Sequence, residues 1–418
     1  MSGAAALGDK DPLSDFSPES LANIQATGAE AVASGEVPGV LSLVWRKGEI
    51  VQVSTAGFAD VERKAPIERS TIFAIASMTK PVTVAAALML VEDGVIELDD
   101  PITKWAPEFA EMRVLARADG PLDDTYPAPR PITIEDLMTH RSGLSYSVTA
   151  EGPLAAALTE KLGMEIVYPQ SPDDWMRLLA SFPLAYAPGE RFQYGHSTDV
   201  LGFIVGRAAG TSFRQFLLNR VFGPLGMADT DFWIPPEKRH RAATAYVPTL
   251  SGSFEPAAVE GLVGPQVSDY TSGGQGLVST ADDYLTFARM LLGGGEVGGV
   301  RLLQPETVAL MTTDRLTPAQ RQNPFMGMPF WAGQGFGLGV SVITDPAQHW
   351  LGAGNKDAFS WAGAFGGWWQ ADPRQEMVLI WLQQILPAAP APGAPPRMPP
   401  GMAALMAFQR ATYAALSR

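Results

Sequence analysis

The stretch IASMTKPVT (Ile75 to Thr83) sets a serine three residues before a lysine, where the strand-like run TIFAIAS gives way to a helix-like run. On a helix, positions i and i+3 share a face with Cβ atoms about 5–6 Å apart, so Ser77 and Lys80 would point into the same space. Ser77 would stand at the helix N-terminus, where unpartnered N–H groups and the helix dipole favour a developing negative charge. Pro81 is compatible with a first helical turn. One segment therefore offers a nucleophile, an amine and an oxyanion-stabilising amide. The amine must be neutral to act as a base. A free lysine has a pKa of about 10.4, so taking the serine proton near neutrality requires a loss of about 3 units, or about 4 kcal/mol, from burial or a second cation. A tyrosine hydroxyl sharing the proton is the other route. By itself the pattern is short. An ordinary helix start, with Ser77 as N-cap and Lys80 solvated, is its commoner source.

The rest of the chain narrows the options. Its 418 residues are long enough for one large domain or two coupled ones with a sizeable core. A hydrophobic share of 46% and a charged share of 18% describe a soluble globular protein. Lys+Arg 30 against Asp+Glu 44 gives a net charge of -14, which argues against phosphate-backbone binding, since that needs a basic face. The absence of cysteine excludes disulfides, thiol catalysis and Cys-based zinc sites. The start MSGAAALGDKDPLSDFSPESL lacks the basic and apolar regions of a signal peptide. The apolar run Val82 to Val91 spans about ten residues, against roughly 20 for a membrane span. A cytoplasmic protein without membrane or nucleic-acid partners is expected; nothing in the sequence speaks to oligomeric state.

The order of patterns points to an α+β fold with a sheet built from both ends of the chain. A helix is expected from Ser17 to Ser34, opened by a capping box in SPES, then two strands around the Lys47-Gly48 turn. Helical patches and loops continue to Gly274. Strands return in GFGLGVSVI, AFSWAGAFGGWWQA and EMVLIWLQ, before the Pro-rich spacer PAAPAPGAPPRMPP (Pro387 to Pro400) and a last helix. The expected division is an α/β domain from residues 1–75 and 275–418, a mainly helical domain from 76–274, and an active site between them.

Two further constellations matter. In PGERFQYGHSTDVLG (Pro188 to Gly202), Tyr194 precedes a helix start that Ser197 or Thr198 can cap. FSWAGAFGGWW (Phe359 to Trp369) reads as a strand whose small residues Gly363 and Ala364 let a substrate approach the backbone. With IASMTK and LMTHRSGLSY, these segments occur in the order and approximate spacing of the serine β-lactamase and penicillin-binding-protein superfamily. The chain resembles most its esterase branch, the family VIII carboxylesterases, which are similar to class C β-lactamases. The resemblance implies a β-lactamase/transpeptidase-like fold, a mostly antiparallel sheet flanked by helices with an inserted helical domain. It also implies an acyl-enzyme on Ser77, with Lys80 and Tyr194 sharing general base and acid duty. The backbone N–H groups of Ser77 and Ala364 would form the oxyanion hole, and Tyr146 would lie at the pocket rim.

Two departures refine this. Where β-lactamases continue Tyr-x-Asn, this chain has Tyr194-Gly195-His196; where their third motif opens with a cation, it has Trp361-Ala362-Gly363. Trp361 offers an apolar face in place of a carboxylate-binding charge, which favours neutral esters; Gly363, Tyr146 and His196 join it as expected substrate-contacting residues. The expectation is a serine carboxylesterase acting on small or medium neutral esters without cofactor or metal. The alternatives are a β-lactam or amide hydrolase, an acyltransferase, or a non-catalytic binding protein on the same scaffold. GHSTD, the nearest approach to G-x-S-x-G, lacks the second glycine, and its His196, Ser197 and Asp199 are too close in sequence to read as a triad. The four histidines show no metal spacing; His140 reads as structural, and Asp99-Asp100 and Asp123-Asp124 as solvated loops. Asn323 to Gly337, rich in Met and aromatics, reads as an apolar wall of the pocket.

Overall fold

Strand β1 (Gly39–Arg46) shows how the core is divided. Side chains alternate along a strand. Val40 and Val44 accordingly join one apolar cluster, while Leu41 and Leu43 join a larger one on the opposite face. A strand buried on both faces belongs in the middle of a sheet. The computed structural model describes residues 15–163, 170–249, 252–257, 268–321, 325, 328–387 and 398–416. In it, β1 is joined by β2 (Glu49–Asp60), β3 (Ala65–Pro66), β4 (Gln334–Phe336), β5 (Ser341–Ile343), β6 (Phe359–Ala362), β7 (Trp368–Asp372) and β8 (Met377–Gln383) in one eight-stranded sheet of order β4-β5-β6-β7-β8-β1-β2-β3. All neighbours are antiparallel, and Ser42 pairs with Trp381 where the two ends of the chain meet. The Lys47-Gly48 turn is made with positive φ at both residues (46° and 98°).

The helices that position the site include α1 (Pro18–Ala33), α2 (Thr79–Glu92), α3 (Ile134–Met138), α4 (Ser197–Ala209), α5 (Ala281–Leu292) and α6 (Met402–Ala415). α1 and α6 pack together on one face of the sheet, where Ile24 and Phe408 meet Trp381. α5 covers the other face against β1, β7 and β8. α2 is buried on every side from Thr79 to Leu90 and packs on α4, which also receives α3. A helix apolar all round belongs inside a core, so Lys80 on its first turn is carried into the interior.

The mixed composition and the sheet drawn from both chain ends match the expected α+β class. Details differ. Ser17 caps α1 by accepting the Ser20 N–H at 3.0 Å, but the reciprocal partner is the Ser20 hydroxyl at 2.9 Å; no glutamate closes a capping box. Asp100 is buried: it accepts the Glu97 N–H at 2.9 Å and pairs with Lys104. Asp99, Asp123 and Asp124 are exposed. Most of the Pro-rich spacer, residues 388–397, lies outside the described residues, as do four positions of the Asn323 to Gly337 stretch. Among the described residues no helix is long and apolar enough to cross a membrane.

Candidate active site

Four contacts hold the Ser77 segment. Phe73–Ala74 pairs antiparallel with Val278–Ser279, and the Ile75 N–H donates to Leu277 O at 3.0 Å. The Thr79 hydroxyl accepts the Leu277 N–H at 3.1 Å, and the buried Tyr284 hydroxyl donates to Met78 O at 2.8 Å. Residues 73–79 are thereby tied to the strand that runs through residues 277–279. Ala76 adopts φ 44°, a left-handed conformation costing a non-glycine residue about 1–2 kcal/mol. A short 3-10 turn, Ala76–Met78, then leads into α2.

Ser77 is therefore not the N-cap of α2; Met78 holds that position without a side-chain cap. Lys80 is not solvated either. It is fully buried, and its Nζ lies 3.1 Å from Ser77 Oγ, 2.8 Å from Gly274 O and 3.2 Å from the Tyr146 hydroxyl. The ordinary-helix reading fails on both counts.

Tyr194 reaches the same amine differently. Its ring face lies over Lys80 Nζ, 4.5 Å from ring centre, and among the described residues its hydroxyl makes no hydrogen bond to Lys80 or Ser77. The phenol within hydrogen-bonding distance is the half-buried Tyr146. The helix after Tyr194 starts without the anticipated cap: Ser197 bonds the Ser142 hydroxyl at 2.8 Å instead.

His196 does not stand open to a substrate. It is 3% exposed, edge-on to Trp175 and Tyr146, and bonded through Nδ1 to Asp199 Oδ2 at 3.0 Å. One turn of α4 brings these two together as an i, i+3 pair, while Ser197 points away from them to Ser142. Asp199 also receives the Tyr146 hydroxyl at 3.3 Å, the Gly274 N–H at 3.0 Å and the Ser272 hydroxyl. Burial pushes its pKa up, but the His196 hydrogen bond and charge, the Lys80 charge and the Ser272 hydrogen bond hold it below the ordinary aspartate value. Sequence reasoning misses Asp199, Ser272 and Gly274 as members of the site.

The third segment closes the site. A Cβ on Gly363 would lie 2.3 Å from Ile75 O, so the end of β6 runs directly against the Ser77 segment. Ala364 beyond it is exposed, and among the described residues neither its amide nor that of Ser77 donates to another backbone group. Trp361 is 4% exposed and packs against Tyr194, Phe330 and Phe336. It therefore backs an aromatic wall, with its face taken up by neighbours. Phe325, from the apolar loop, joins that wall 5.1 Å from Tyr194. Two cavities of about 330 and 250 Å³ lie elsewhere, lined by neither Ser77 nor Lys80.

His140 ends α3 with φ 54° and is fully buried among Phe192, Tyr194 and Phe336. Burial first, then the Lys80 charge, hold its pKa well below the usual histidine range, against a smaller opposite pull from Asp199. The unfolded chain takes up this proton near pH 6.5 and the folded one does not, so the stabilisation is complete above about 6.5 and is lost as pH falls below it. Unfolding free energies from urea titrations between pH 7 and 5 are expected to fall more steeply in wild type than in His140→Asn, by at most about 1.4 kcal/mol per pH unit.

A profile of the family described as Beta-lactamase matches residues 24–398. The chain belongs to that family. Protein Rv1367c of Mycobacterium tuberculosis (strain ATCC 25618 / H37Rv) is 45% identical over 402 residues, covering 94% of this chain and 98% of that protein. Esterase EstB of Burkholderia gladioli is 31% identical over 387 residues, covering 84% and 87%. Among solved structures, EstCE1, described as a hydrolase with promiscuous acyltransferase activity, superposes with a TM-score of 0.78 at 29% identity over 96% of this chain and all (100%) of its own. The fold is β-lactamase/transpeptidase-like, and the protein is a serine hydrolase with esterases and acyltransferases among its relatives.

Proposed function

We propose that this member of the family is a carboxylesterase that acylates Ser77 with small or medium neutral esters. The observation carrying the reading is the 3.1 Å approach of Ser77 Oγ to a fully buried amine. Lys80 takes the Ser77 proton as Oγ attacks the ester carbonyl. The amides of Ser77 and Ala364 receive the oxyanion, a contribution of about 3 kcal/mol per donor in comparable sites. The proton passes to the departing alcohol, and water releases the acyl group by the reverse sequence. The Tyr194 ring stabilises the ammonium formed on Lys80, an interaction of about 1–2 kcal/mol when desolvated; its hydroxyl is the candidate that the family resemblance offers for proton delivery. Trp361-Ala362-Gly363 supplies no cation for a β-lactam carboxylate, which supports neutral esters. The promiscuous acyltransferase activity of EstCE1 supports a second outcome, in which an alcohol replaces water as acyl acceptor.

A fluorophosphonate probe coupled to mass spectrometry is expected to place one adduct on Ser77, and p-nitrophenyl butyrate to be turned over faster than a chromogenic cephalosporin. An adduct on another serine defeats the assignment; faster cephalosporin turnover replaces the substrate class. An added alcohol appearing as new ester would establish transfer.

A further inference from the structure

The chemistry of Lys80 turns on which way two hydroxyl protons point, those of Ser77 and Tyr146, and one buried carboxylate settles it. Asp199 is fully buried and accepts from four donors: His196 Nδ1, Tyr146, Ser272 and the Gly274 amide. An ionised carboxylate has about four lone-pair sites and no proton to give. The Tyr146 proton therefore points at Asp199, and the Tyr146 oxygen is left to accept.

A neutral Lys80 amine has two N–H bonds and one lone pair. Gly274 O, at 2.8 Å, can only accept, and takes one N–H. Tyr146, at 3.2 Å with its own proton committed, takes the other. The lone pair is then left for Ser77, at 3.1 Å, whose hydroxyl has a proton to donate. If the Tyr146 hydroxyl were reversed it would donate to that lone pair, Lys80 would offer an N–H to Ser77, and the serine proton would have no acceptor. Asp199 acts a second time through Gly274, holding the amide of the residue whose carbonyl anchors Lys80. The fit is close: a Cβ on Gly274 would come within 2.8 Å of both Asp199 Oδ2 and the Tyr146 hydroxyl.

We propose that Asp199 is a positioning residue for the Ser77 and Lys80 pair, acting through the Tyr146 hydroxyl and the Gly274 peptide to leave the Lys80 lone pair facing Ser77. This rests on the acyl-enzyme reading. The proton that leaves Ser77 Oγ as the Oγ–acyl bond forms goes to Lys80 Nζ and returns to the alkoxide leaving group when the ester C–O bond breaks; Asp199 and Tyr146 keep their own protonation states throughout. The arrangement assigns to an aspartate and a second tyrosine the orienting duty that a third group serves in other nucleophile–base pairs.

The test is a double-mutant cycle on the full chain with Asp199→Asn, Tyr146→Phe and both together, using p-nitrophenyl butyrate. An asparagine can turn its amide to Tyr146 and reverse the hydroxyl; phenylalanine removes it. Each single change is expected to lower kcat by about 10²-fold with KM within about 3-fold, the lower end of what general base catalysis supplies. The double variant is expected to fall no further than the worse single one, because both break one link. Losses that multiply, or a raised KM with kcat intact, overturn the proposal. The rate of fluorophosphonate labelling at Ser77 in the same proteins separates the two readings. It depends on serine activation and not on ester recognition, so equal labelling in all variants sinks the positioning role while the esterase reading stands. Should Asp199→Asn not fold, Gly274→Ala takes its place in the cycle, with the same expected pattern.

Discussion

Lys80→Arg is expected to cut kcat for a p-nitrophenyl ester by on the order of 10⁴-fold, although it keeps the positive charge. The buried site asks two different things of its amine. Gly274 O and the faces of Tyr146 and Tyr194 favour a cation, with the rings 5.3 and 4.5 Å from Nζ. The proposed chemistry instead needs a lone pair. An arginine satisfies the first demand but never the second, since its pKa exceeds about 12 and it has no acceptor site. Lys80→Met, which keeps most of the side-chain length without nitrogen, is expected to lose a similar factor. Circular dichroism and a thermal midpoint establish that each variant is folded. Arginine retaining a tenth or more of the activity would mean that charge suffices, and the base would have to be sought elsewhere.

Gly363→Ala is expected to cost on the order of 10²-fold in kcat without touching any reacting side chain. The glycine has no need of a special backbone conformation; the constraint is space. A methyl there would sit 2.3 Å from Ile75 O and 3.6 Å from the Ala76 Cβ. Normal contact requires the end of β6 and the Ser77 segment to separate by about 1 Å, and misplacement of that size can cost about 10²-fold in rate. Both proposed oxyanion amides lie next to that contact, one on each side. Steady-state kinetics with urea unfolding is the check. The overpacking penalty should stay within about 1–3 kcal/mol, so a folded enzyme with depressed kcat is anticipated. Unchanged kcat would show that this approach of the two segments does not set the oxyanion geometry.

The parts of the site legible in the sequence share one property: each is a local pattern with a physical period. Ser77 and Lys80 stand one helical turn apart, and small residues at Gly363 and Ala364 mark a strand end open to close approach. Asp199, Ser272 and Gly274 have no such signature. Asp199 sits two residues inside α4, where an acidic residue is the ordinary complement of a helix dipole. Gly274 lies in TSGGQG, which reads as a turn. His196 and Trp361 are legible as neighbours of the site, but not as buried ones, because burial depends on what packs over them. Tyr146 and Tyr194 exchange emphasis for the same reason: which ring turns its hydroxyl to Lys80 is fixed by packing against His196, Phe325 and Trp361.

From its order of residues alone, this protein is committed to an antiparallel sheet closed by its two ends, and to a serine and a lysine one turn apart at the head of a largely apolar helix. Alternation and helical spacing act over a few residues and need no knowledge of distant contacts. Only the folded molecule decides that the lysine is dry, that Asp199 lies behind it, and that the end of β6 presses on Ile75. Those outcomes come from segments more than a hundred residues apart sharing one interior, where each polar group must find its partner or pay for its burial.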